Sequence, residues 1–101
     1  MIIYIITTTV KNEFEQEWLQ WVKGKRIPEI LNTGYFKNYR IYKIKIPTNL
    51  GGEVTYVVQY ECESMDSYTA YAEKDFRKLH AEYPPKFIGK VTTSRTVMES
   101  I

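Results

Sequence analysis

The sequence predicts an α+β domain of 101 residues in which two helices pack on one face of a four-stranded antiparallel sheet. Three observations carry that expectation. Four stretches rich in β-branched and aromatic residues are interleaved with two of helical periodicity, in the order strand, helix, strand, strand, helix, strand. The two middle strands are joined by Pro47-Thr48-Asn49-Leu50-Gly51-Gly52, which is turn chemistry. The length suits one domain, residues 1–101, with a single core.

Residues 2–10 are almost all β-branched or aromatic, and a run that apolar on both faces reads as a central strand. Asn12 is expected to cap the first helix, in which Phe14, Trp18, Trp21 and Val22 recur at helical spacing while Glu13, Glu15, Gln16, Glu17 and Gln20 take the opposite side. Gly24 weakens this helix. Pro28 then opens a short further turn through Glu29, Ile30 and Leu31 before Gly34 stops it, so a kink is expected there. The second strand is expected over 36–46 and the third over 53–62. With the turn centred near Leu50, Tyr42, Ile44 and Ile46 share a face with Val54, Tyr56 and Val58. Tyr39, Ile41, Lys43 and Lys45 then share the other with Thr55, Val57, Gln59 and Glu61. Ser64 caps the second helix, whose apolar stripe is Met65, Tyr68, Tyr71, Ala72, Phe76 and Leu79, and Pro84-Pro85 ends it. A last strand, rich in Thr and Val, is expected over about 87–99. This order is the split βαβ, or ferredoxin-like, arrangement.

Fourteen Lys and Arg against twelve Asp and Glu leave a net charge of +2, without the strong positive field of a dedicated nucleic-acid binder. The single cysteine, Cys62, has no partner for an internal disulfide, which suits the reducing cytoplasm. Met1-Ile2-Ile3-Tyr4-Ile5-Ile6 is apolar but lacks the basic start and small-residue cleavage site of a signal peptide. No apolar run approaches the roughly 20 residues of a membrane-spanning helix. A cytoplasmic protein with no membrane partner is the expectation.

In such a fold the helices leave one sheet face uncovered. Here that face is expected to show Ile or Tyr from the first strand, Tyr39, Ile41, Val57, and Val or Thr from the last strand, together with Gln59, Glu61 and Arg95. So broad an apolar patch calls for a cover, and a second copy related by a two-fold axis supplies one, giving a homodimeric α+β barrel with the helices outside. Tyr39, Gln59, Glu61 and Arg95 are thus the candidate residues for a polar-ended pocket or for the dimer seam, since buried charges must be paired or serve a ligand.

The chain resembles a small bacterial family of about this length, a domain of unknown function in the dimeric α+β barrel group. The segments that carry the resemblance are Glu17-Trp18-Leu19-Gln20-Trp21, Arg26 through Phe36, Tyr39-Arg40, Val54 through Tyr60, and Arg95-Thr96. It differs in having Arg26 before Ile27-Pro28 and Tyr83 after the second helix, where the family often has histidine. The resemblance implies the barrel fold and a group that includes cofactor-free monooxygenases, haem-degrading enzymes and isomerases beside members that only bind. Fold membership does not itself assign a reaction.

The residues point away from most chemistries. His80 is the sole histidine and reads as a surface residue suited to a helix C-terminus rather than a base or haem ligand. Cys62 reads as a buried filler, and with one His and one Cys no metal site is expected. Trp18 and Trp21 read as core, and Lys23, Lys25 and Arg26 as the solvated basic end of a helix. Tyr4, Tyr56 and Tyr60 invite comparison with an RNA-recognition sheet, but Glu53 and Glu61 and the lack of a basic-Gly-aromatic-Gly opening argue against it. The expectation is therefore a homodimer binding a small molecule, without a cofactor. A cofactor-independent monooxygenase- or isomerase-like enzyme is the second reading, and an RNA-binding sheet the third.

Overall fold

The residues that avoid helix most strongly occupy the middle of the sheet. In the computed structural model, which describes residues 1–48 and 51–101, β1 (Ile2–Lys11) lies between β3 (Glu53–Cys62) and β4 (Val91–Glu99), with β2 (Asn38–Lys43) at the far edge beyond β3. All neighbouring pairs are antiparallel. The central position of β1, the strand order and the span of β3 agree with the sequence reading.

Side chains alternate across the sheet, so register decides which residues meet the helices. Ile2, Tyr4, Thr8 and Val10 of β1 and Tyr56, Val58, Tyr60 and Cys62 of β3 are buried on the covered face. Two helical layers close over them. The first is α1 (Glu15–Trp21), a π-helical turn over Val22–Arg26, and α2 (Ile27–Asn32); the second is α3 (Met65–Lys74) and α4 (Phe76–Ala81). No helix among the described residues is long and apolar enough to cross a membrane.

Local chemistry corrects the sequence reading in four places. Asn12 does not cap with its side chain, but opens a 3-10 turn, Asn12–Phe14, that leads into α1. The expected kink at Gly24 and Pro28 is a wide turn within one continuous helical segment, in which the Ile27 N–H donates to the Val22 carbonyl five residues back. Proline cannot donate, and its ring crowds the carbonyl four residues back, here that of Gly24; the looser π turn precedes it. The second helix is capped by Ser64, as expected, through the Ser67 N–H at 3.3 Å, but it is divided at Asp75. The last strand begins only at Val91, after a 3-10 turn over Pro85–Phe87.

A fifth correction is the hairpin register. Tyr42 pairs with Val57, Ile41 with Val58 and Tyr39 with Tyr60, one residue from the expected pairing. Tyr39, Ile41 and Lys43 thus lie on the covered side and Tyr42 on the open one. The strand stops at Lys43, and Ile46 is 89% exposed rather than packed. The turn centre, Asn49 and Leu50, falls outside the described residues. One cause of the shift is Glu15 of α1, whose Oε2 accepts from both Lys43 Nζ at 2.9 Å and the Tyr56 hydroxyl at 2.6 Å. These bonds draw two paired residues of the hairpin to the helix side, where alternation of hydrophobicity alone would have put Lys43 outside.

Candidate functional site

Trp18, Val22, Arg26 and Ile30 recur every fourth residue along the first helical layer and all turn toward the sheet. Three of the four are apolar and 5% exposed or less, so the arginine is the exception in a buried stripe. Its cost is met locally. Arg26 Nη2 donates to the Leu79 carbonyl near the end of α4 at 2.7 Å, and its guanidinium lies over the rings of Trp21 and Tyr83 at 4.9 and 5.5 Å. Nε, buried and making no hydrogen bond, faces Glu29 Oε1 at 3.6 Å. Arg26 therefore ties the two helical layers together at one end of the sheet.

Around it the covered face is built of rings. The Trp18 indole donates to the Tyr83 hydroxyl at 2.9 Å and packs 5.4 Å from Tyr56, while Trp21 lies 4.7 Å from Tyr83. Tyr4 stands 5.7 Å from Phe36, 5.2 Å from Tyr68 and 5.7 Å from Tyr71. Burial pushes the Tyr4, Tyr60, Tyr71 and Tyr83 hydroxyls above their ordinary range, so all four are neutral donors at physiological pH. Arg95 pulls the other way on Tyr4, Tyr71 and Tyr83, which puts its charge at this cluster.

Rings of this size, tilted against one another, leave a gap. A narrow cavity of about 40 Å³ runs between helices and sheet, with walls that include Tyr4, Trp21, Arg26, Tyr71, His80 and Arg95. Outside it lies an open cleft of about 410 Å³ bounded by Phe87, Ile88, Gly89 and Val91, and the two share His80, Tyr83, Thr93 and Arg95. His80 stacks on Phe76 at 5.7 Å, and the Arg95 guanidinium lies 4.9 Å from the same ring. Neither lining contains an Asp or Glu.

The four residues expected to act together are split by the sheet. Arg95 pairs with Ile6 on the covered face and lines the cavity. Gln59 and Glu61 pair with Ile5 and Ile3 on the open face, away from it. Tyr39 lies on the covered side at the edge strand, 44% exposed and outside the cavity lining. The arginine near Glu61 is Arg40 of β2, which Tyr42 and Glu61 both hold in its charged form, and not Arg95. The open face itself shows Ile3, Ile5 and Val57, with Tyr42 in place of Tyr39 and Ile41, and a band of Thr and Ser from β1, β3 and β4.

Tyr4, Tyr56 and Tyr60 are at most 6% exposed beneath the helices, so they make no platform for stacked bases. Trp18 lies in the core, Trp21 packs against it and His80 is exposed near the end of α4, as the sequence reading had them, and all three also line the cavity; Arg26, expected in solvent, turns inward beside them. The signal for Arg26 was its spacing, four residues from both Val22 and Ile30. Cys62 is buried and its Sγ is directed at the Ser64 carbonyl, with burial raising the thiol above its ordinary value. Among the described residues no three His, Cys, Asp or Glu side chains are grouped to hold a metal.

Fold and site together define a ferredoxin-like α+β domain with an aromatic, arginine-bearing cavity between its layers. The chain belongs to the family described as a domain of unknown function, DUF4286, whose model matches residues 1–101. No curated protein matches it significantly. Solved structures share its fold at low identity. HapK from Hahella chejuensis is 12% identical with a TM-score of 0.71, covering 100% of this chain and 93% of its own. The haem-degrader MhuD from Mycobacterium tuberculosis is 19% identical with a TM-score of 0.68, covering 100% and 95%. A dimeric ferredoxin-like protein from an uncultured marine organism is 14% identical with a TM-score of 0.57, covering 96% and 92%.

Proposed function

We propose that two copies of this chain pair through the uncovered sheet face and that each binds a small organic molecule between its helices and its sheet. The observation that carries the ligand half is a ring-walled cavity, opening on a larger cleft, into which two arginines and a histidine converge. Pairing is supported by the aliphatic centre of the open face, Ile3, Ile5 and Val57, and by the dimeric state named for one fold neighbour. On this reading Gln59 and Glu61 belong to the dimer seam and Arg95 to the ligand. The lone buried Cys62 suits a cytoplasmic setting.

Haem, which the MhuD structure contains, does not fit the inner cavity, whose volume is far below the roughly 300 Å³ that even a drug-sized ligand fills. Catalysis of the oxygenase or isomerase kind is the second reading, favoured by one observation: the sole imidazole of the chain, His80, lines both compartments.

Native mass spectrometry of gently purified protein tests both halves. A dimer carrying a small-molecule mass on each chain is expected. A monomer overturns the pairing, and a bare dimer that no compound of a metabolite library stabilises in thermal melts overturns the ligand.

A further inference from the structure

The geometry points to an amphipathic monocarboxylic acid as the ligand, with its carboxylate in the inner cavity against Arg95 and its apolar body in the outer cleft. The inference rests on the ligand-binding reading above and narrows it to a chemical class.

Size divides the ligand first. The inner cavity, about 40 Å³, suits a small group such as a carboxylate. The outer cleft, ten times larger, has room for a hydrocarbon body. Part of its floor is apolar: Phe87 is fully buried beneath it, and Ile88 stands 73% exposed beside Val91. Size alone thus places the smaller end of a ligand inside and its larger body outside.

Charge then selects the tip. Of the four ion pairs among the described residues, Arg26 takes part in one and Arg95 in none. Arg26 is already committed to the Leu79 carbonyl and Glu29, whereas among the described residues Arg95 meets the Phe76 ring and the Tyr4 hydroxyl. The Arg95 guanidinium stands solvent-exposed at the boundary of both compartments, where neither lining contains a carboxylate, and its planar fork matches a carboxylate in bidentate fashion. The neutral Tyr4 and Tyr71 hydroxyls within the same walls can donate to the same oxygens.

Titration of the full chain with octanoate and with octan-1-ol, followed by calorimetry and tryptophan fluorescence, tests this. Octanoate should bind at least about tenfold more tightly than the alcohol, as a charge-assisted hydrogen bond implies. Arg95→Leu should erase that preference while leaving alcohol binding in place, and Arg95→Lys should keep part of it. Equal binding of acid and alcohol to the unaltered protein overturns the carboxylate but leaves the pocket standing. Binding of neither overturns the inference, and with a bare, unresponsive dimer the ligand reading falls as well.

Discussion

The two faces of this sheet are made by alternate residues of the same strands, yet they are different materials. The covered face carries Tyr4, Tyr56 and Tyr60, large rings at most 6% exposed. The open face carries Ile3, Ile5 and Val57 among the threonines Thr7, Thr9 and Thr55, all half-buried by their neighbours. Large rings packed at mixed angles cannot close every gap against the helices, and the cavity is what they leave. Short β-branched side chains make a smoother surface, which suits a second flat surface better than an irregular ligand. One period-two pattern thus separates a ring-built, cavity-lining face from a smoother aliphatic and threonine-rich one.

If that division holds, the largest effect should follow from emptying the covered face. Trp18→Ala removes a 2%-exposed indole together with the donor to Tyr83, and should cost about 3–5 kcal/mol in urea denaturation. That is a large part of the 5–15 kcal/mol typical of a domain. A loss below about 1 kcal/mol would mean that the rings do not form the core. On the other face Ile5→Lys should leave the circular dichroism spectrum intact and weaken the dimer at least about tenfold in sedimentation equilibrium, since a lysine opposite its own copy repels and must be desolvated. An unchanged dimer would assign the pairing to another surface.

Element order was legible because β1 and β3 are long, β-branched and aromatic, and because Ser64 and Pro84-Pro85 bracket the second helical layer with local chemistry. Parity was not. The hairpin register turns on Glu15, a residue of another element that pulls Lys43 and Tyr56 to its own side, and no local alternation encodes such a contact. Among the candidate residues, Arg95 was assigned to the open face and lies on the covered one, because the pairing of β4 with β1 sets its side and a strand read alone has no partner. Arg26 was legible in principle from Trp18, Val22 and Ile30 at four-residue intervals; reading Gly24 and Pro28 as a break interrupted the stripe that would have shown it.

The same Glu15 contact gives the smallest and most specific prediction. The Tyr56 hydroxyl first, and Lys43 second, hold the Glu15 carboxyl below its ordinary value near 4.5. A carboxyl with a lowered folded pKa stabilises fully above its unfolded value, and that contribution is lost as pH falls through the folded one. Tyr56 behaves in the opposite sense. Burial and the Glu15 carboxylate raise its hydroxyl from 10.0 to about 12, so its contribution is full below 10 and lost as pH rises through about 12. Glu15→Gln keeps the shape and removes the charge. At pH 7 it should cost about 1 kcal/mol, a value set by a partly exposed pair rather than a buried one. The difference from the unaltered protein should shrink as pH falls below about 4.5, and tyrosinate absorbance should show one hydroxyl titrating closer to 10 than before. A stability difference independent of pH would show that the carboxylate charge does not hold the hairpin to α1, and the register would need another cause.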